Sequence, residues 1–108
     1  MKELIPEKLK GRILKTWKTT ISYSNGWNMD IMVDRNDPTI GKWSYWEKRR
    51  SVPNEIIVWV SYNGEMLKWW ILNSFCEFEK LLQSGDIQSM FCMYGEPEIE
   101  RVFDGFTN

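Results

Sequence analysis

Residues 54–72 read NEIIVWVSYNGEMLKWWIL, two apolar runs joined by Asn63-Gly64. Asn-Gly between strand-like runs is a strong hairpin signal, because a two-residue turn of that hand needs positive φ at both positions. Ile, Val and Trp fill both runs, and these residue types suit a pleated surface. A two-residue turn pairs Val60 with Leu67, Val58 with Trp69 and Ile56 with Ile71, which makes one wholly apolar face. The other face pairs Ser61 with Met66, Trp59 with Lys68 and Ile57 with Trp70, so it too is apolar, with one cation inside it. A hairpin apolar on both sides is central to its sheet, or has one side covered by something other than its own helix.

A second hairpin lies upstream. Trp27, Met29, Ile31 and Val33 alternate with polar residues and Met32, the pattern of a half-buried strand. Ile13, Trp17, Ile21 and Tyr23 share one parity before the connection Ser24-Asn25-Gly26. A two-residue turn there would set Ile21 against Asp30. A three-residue loop instead sets Tyr23 against Trp27, Ile21 against Met29 and Trp17 against Val33, so the register predicts that loop, with Gly26 left-handed.

After the 54–72 hairpin, Ser74-Phe75-Cys76-Glu77 is a capping box, and Phe75, Phe78, Leu81 and Leu82 form an apolar stripe that Gly85 ends. A short amphipathic helix of this kind must lie on a sheet. Residues 86–94 fit either a strand or a further helical turn. Pro97 and Gly105 read as the first turn and the C-cap of a short C-terminal helix. The expected fold is α+β: an antiparallel sheet of four or five strands built from hairpins at about 11–34 and 55–72. The 74–84 helix packs on one face of that sheet, and the short C-terminal helix follows, all within a single domain spanning 1–108.

Composition supports sheet and narrows function. The chain has seven Trp, no Ala and no His among its 108 residues. Without His there is no Ser-His-Asp triad and no imidazole metal site, and Cys76 and Cys92 lack metal-site spacing. No glycine-rich phosphate-binding motif is present. Carboxylates such as Asp30, Asp34 and Asp37 read as surface groups near a turn. The expectation is therefore a non-catalytic protein with no cofactor and no metal. Cys76 and Cys92 are expected as reduced, buried thiols. The longest apolar run, residues 56–60, is too short to span a bilayer, and residues 1–12 lack an apolar core of signal-peptide length. No membrane association and a cytoplasmic location are expected.

Charge is uneven despite a net of −1: residues 1–20 carry six basic and two acidic groups, whereas 73–108 carry two basic and seven acidic. Either the fold brings the two together, or a bipolar surface steers a charged partner. The connection 35–54 holds GKWSYWEKRR at 41–50, a candidate short edge strand ending in charges.

Seven Trp exceed what a two-layer core of this size needs, and Trp is rarely buried completely. The candidate partner-binding residues are Trp43, Tyr45, Trp46, Lys48, Arg49 and Arg50 of the connection, with Trp59, Lys68 and Trp70 of the hairpin. Either Trp43, Tyr45 and Trp46 fold across the Trp59 face, with Lys68 stacked on a ring, or a partner covers it. The chain is expected to bind another protein, itself acting as an inhibitor, immunity or adaptor protein, with homodimerisation a further option. The alternative is single-stranded nucleic acid, with aromatics stacked on bases and Lys or Arg along the backbone. The acidic last third favours the protein, because carboxylates repel a polyanion.

Overall fold

The computed structural model describes residues 3–34 and 55–104. Five antiparallel strands form one sheet: β1 Lys18–Tyr23, β2 Trp27–Asp34, β3 Glu55–Tyr62, β4 Glu65–Leu72 and β5 Ile99–Asp104. Their spatial order is β4-β3-β2-β1-β5. Three helices accompany them: α1 Glu7–Ile13, α2 Phe75–Ser84 and α3 Asp86–Phe91. The expected edge strand within 41–50 lies outside the described residues.

One sheet face is sealed. Alternate residues Ile21, Tyr23, Trp27, Met29, Ile31, Val33, Ile56, Val58 and Val60 are buried there, together with Ile13 of α1, Phe78 and Leu81 of α2, and Ile87 and Phe91 of α3. Phe91 stacks on Trp27 and meets Tyr23 edge-on, with centroids 4.9 Å apart in each pair. The Tyr23 hydroxyl donates to the Leu4 carbonyl at 2.9 Å, and burial pushes this phenol well above its ordinary range.

Both hairpins close as the turn chemistry requires. Ile21 pairs with Met29 across a three-residue loop, and Gly26 has a φ of 95°. Asn63 and Gly64 have φ of 50° and 90° in a two-residue turn that pairs Tyr62 with Glu65. The two turns touch, because the Asn63 amide donates to the Gly26 carbonyl at 2.9 Å. At α2 the Ser74 hydroxyl accepts from the Glu77 amide at 3.1 Å. Glu77 reaches one residue past the cap, accepting from the Asn73 amide at 2.9 Å. Gly85, with a φ of 85°, ends α2, and residues 86–91 turn out helical.

Three expectations need correcting. The first hairpin begins at Lys18, because residues 7–13 are helix. Ile5, Leu9 and Ile13 recur every four residues, Pro6 sits at the N-cap, and acidic Glu7 precedes basic Lys10 and Arg12, all helical signals. The C-terminal segment is a strand, because the free edge of β1 offers Ile99, Val102 and Phe103 a partner that local sequence cannot reveal. Ser24 anchors its approach: its amide donates to the Glu98 carbonyl, and its hydroxyl accepts from the Glu98 amide. Cys76 and Cys92 are free, but Cys76 is exposed on the outer side of α2 and Cys92 is only partly covered.

Part of the uneven charge is neutralised within the fold. Lys10 lies 3.2 Å from Glu79, and Arg12 pairs with Asp104, so the basic start meets the acidic last third. Burial works against the charge on Lys10, but the hydrogen bond and charge of Glu79, with Glu7 and Glu3, outweigh it and raise the pKa.

Candidate functional site

The second face of the sheet has no helix over it among the described residues. Residues on it follow from register. One row runs Phe103, Thr20, Asp30, Trp59, Trp69 across all five strands. The next runs Lys18, Met32, Ile57, Ile71, and the row on the other side runs Arg101, Ser22, Asn28, Ser61, Met66. The face is thus divided: polar over β1 and β2 near the turns, apolar and aromatic over β3 and β4. Trp69 is 58% exposed and Ile71 51%, both on the edge strand β4.

The register of β4 departs from simple alternation. Ser61 faces Met66 as expected, but Val60 faces Lys68, so Leu67 is an extra residue in a β-bulge. Beyond it Trp59 faces Trp69, and Val58 faces Trp70. Trp59 therefore does not share a face with Lys68 and Trp70. Trp70 and Leu72 turn toward the helices and pack at the margin of the core. Lys68 does stack on a ring, that of Trp70, at 5.3 Å. Because both sides of this hairpin are apolar, polarity places no constraint on the bulge, and the sequence pattern reads equally well in either register.

Of the described candidate residues, Trp59 stands on the uncovered face, while Lys68 and Trp70 lie on the other. Trp43, Tyr45, Trp46, Lys48, Arg49 and Arg50 lie outside the described residues, as does any cover that residues 43–46 provide. Reasoning from sequence missed Trp69 and Ile71 as members of this face, and placed Phe103 in a helix rather than on it. Alternation in β2 and β3 marks Met32 and Ile57, whereas Trp69 and Ile71 require the bulge.

Three charged side chains on the face, Lys18, Asp30 and Arg101, are engaged. The Lys18 ammonium reaches across β2 to within 5.5 Å of the Trp59 ring, a cation–π contact. The Asp30 carboxylate accepts from the Thr20 hydroxyl. Arg101 lies 5.9 Å from the Phe103 ring. No group of three or more metal-ligating side chains occurs among the described residues. No helix among them is long and apolar enough to cross a membrane. Clefts of about 270 and 350 Å³ among the described residues lie away from this face, beside Leu4 and Ile5 and beside Pro97. The chemistry the face offers is contact: apolar area, ring stacking and a few hydrogen bonds. Comparison of the chain with protein-family models, with curated proteins and with solved structures yields no match.

Proposed function

We propose that this is a non-catalytic protein-interaction module whose binding surface is the sheet face bearing Trp59, Trp69, Ile57 and Ile71. The observation that supports it is the contrast between the two faces. Three helices seal one, while the other carries half-exposed Trp69 and Ile71 with no helix over them among the described residues. Contiguous exposed apolar area on a small domain marks interaction surfaces, and Trp at their centre dominates binding energy. A role for this chain as an inhibitor, immunity or adaptor protein fits a flat sheet surface with a polar margin at Ser22, Asn28 and Ser61. Lys48, Arg49 and Arg50 extend the same reading by their charge.

Single-stranded nucleic acid is the alternative, favoured by the aromatic row Phe103, Trp59, Trp69 with Lys18 and Arg101 beside it. Asp30 at the centre of that row opposes a phosphate backbone. Affinity capture from the native host lysate, with and without nuclease, separates the two. Capture that survives nuclease and is lost in Trp69→Lys supports the protein reading. Capture abolished by nuclease, with low-salt binding of single-stranded oligonucleotides, replaces it with the other.

A further inference from the structure

The two outer edges of the sheet are built in opposite ways, and among the described residues no strand pairs with either. β5 is six residues long, and its sequence IERVFD follows Glu98, so it presents Glu100, Arg101 and Asp104 along a short edge. Short length and charge are the usual means of keeping other strands away. β4 is eight residues long, EMLKWWIL, and from Trp69 to Leu72 it carries no charge at all. Besides Glu65 and Lys68, its exposed side chains are large and apolar: Met66, Leu67, Trp69 and Ile71. The bulge lies at the hairpin end and leaves 68–72 in regular register with β3. Along that span, alternate backbone N–H and C=O groups point away from β3, a template for another strand.

We infer that the occupant of this edge is β4 of a second copy of the chain, paired antiparallel about a two-fold axis normal to the sheet. Such an axis keeps like faces on the same side and makes one continuous ten-stranded sheet. Placed at Trp69 or at Trp70, it sets Trp69 against Trp69 or Ile71 of the second copy. In neither placement does Lys68 meet Lys68 or Glu65 meet Glu65, so no like charges oppose. The four exposed side chains and the backbone between them offer about 500 Å² per copy. Pairing covers the in-plane part of that area, leaves the face-pointing side chains of Trp69 and Ile71 largely open, and adds the backbone hydrogen bonds of 68–72. Assembly closes at two, because both outer edges of the ten-stranded sheet are then the charged β5. The dimer also brings two Trp59/Trp69 stripes side by side, but the inference rests on the edge and stands whether or not a third protein binds the face.

Sedimentation equilibrium of the full chain over about 1–100 μM is expected to give a mass near 26 kDa, twice the 13.0 kDa of one chain. A mass of one chain throughout that range overturns the inference. A face-to-face dimer would have the same mass, so hydrogen exchange decides the mode. In the edge dimer the outward amides of 68–72 exchange at least about 100-fold more slowly than in a monomer. A dimer whose outward β4 amides exchange freely refutes edge pairing. Trp69→Lys combined with Ile71→Lys sets lysines against one another across the axis and is expected to give a monomer with unchanged sheet signal. A folded variant that stays dimeric refutes it as well. If the variant does not fold, exchange in the unmodified chain still decides.

Discussion

The β4 bulge is tested by asking which tryptophan is energetically coupled to Trp59. Trp59 and Trp69 face one another on neighbouring strands, whereas Trp70 faces Val58 and points to the other side. Trp69 keeps 58% of its surface exposed, so it withdraws about 100 Å² of ring from water. At about 25 cal/mol per Å², that burial contributes at most about 2.5 kcal/mol to stability. Part of it is the contact with Trp59, and cross-strand aromatic pairs contribute about 0.5–1 kcal/mol. Urea unfolding of the parent, Trp59→Ala, Trp69→Ala and the double variant is therefore expected to show coupling of about 0.5–1 kcal/mol. The corresponding cycle for Trp59 and Trp70 is expected to be additive within about 0.3 kcal/mol. Coupling between Trp59 and Trp70, with none between Trp59 and Trp69, would refute the bulged register and the face built on it.

Three further substitutions report on the elements that position the face. Gly26→Ala places a Cβ 2.6 Å from Asn63 Oδ1 at a φ of 95°, so thermal unfolding is expected to show a loss of about 2 kcal/mol; an unchanged melting temperature would contradict the contact between the turns. Ser74→Ala removes the cap hydroxyl of α2 and is expected to cost about 1 kcal/mol in urea unfolding, with Ser74→Gly costing less. Tyr23 has a folded pKa raised above its unfolded value of 10.0 by burial. Its contribution is thus full below pH 10 and is lost as pH rises toward the folded value, by up to about 1.4 kcal/mol per pH unit. Tyr23→Phe is expected to lower stability at pH 8 by about 1 kcal/mol through the lost bond to Leu4. It should also flatten the fall above pH 10, and equal slopes in the two proteins would argue against a buried phenol.

Turn chemistry and alternation made both hairpins, the α2 cap and the covered face of the sheet legible before any coordinates. Gly26, Asn63, Gly64, Ser74 and Gly85 each answer a local requirement that adjacent residues state in full. The errors arose where the deciding partner is remote or the pattern is degenerate. Ile13, Trp17 and Ile21 recur every four residues and also share one parity, so the same apolar positions read as strand hid the helix over 7–13. Ile99, Val102 and Phe103 form a strand because β1 has a free edge, a tertiary fact with no local mark beyond β-branching. The bulge at Leu67 exchanged Trp69 for Trp70 on the uncovered face because the hairpin is apolar on both sides. A Trp-rich face on the 55–72 hairpin was therefore legible in kind, with Trp70 placed on it where the structure has Trp69.

The central claim, that the Trp59/Trp69 face binds another protein, is tested most directly by calorimetric titration of the protein captured from host lysate against single alanine variants. Trp69→Ala and Trp59→Ala are each expected to weaken binding about 30-fold, equivalent to about 2 kcal/mol. Cys76→Ala, on the outer side of α2, is expected to leave it unchanged. Equal affinities for the parent and both tryptophan variants would place the interface elsewhere on the molecule and contradict the account.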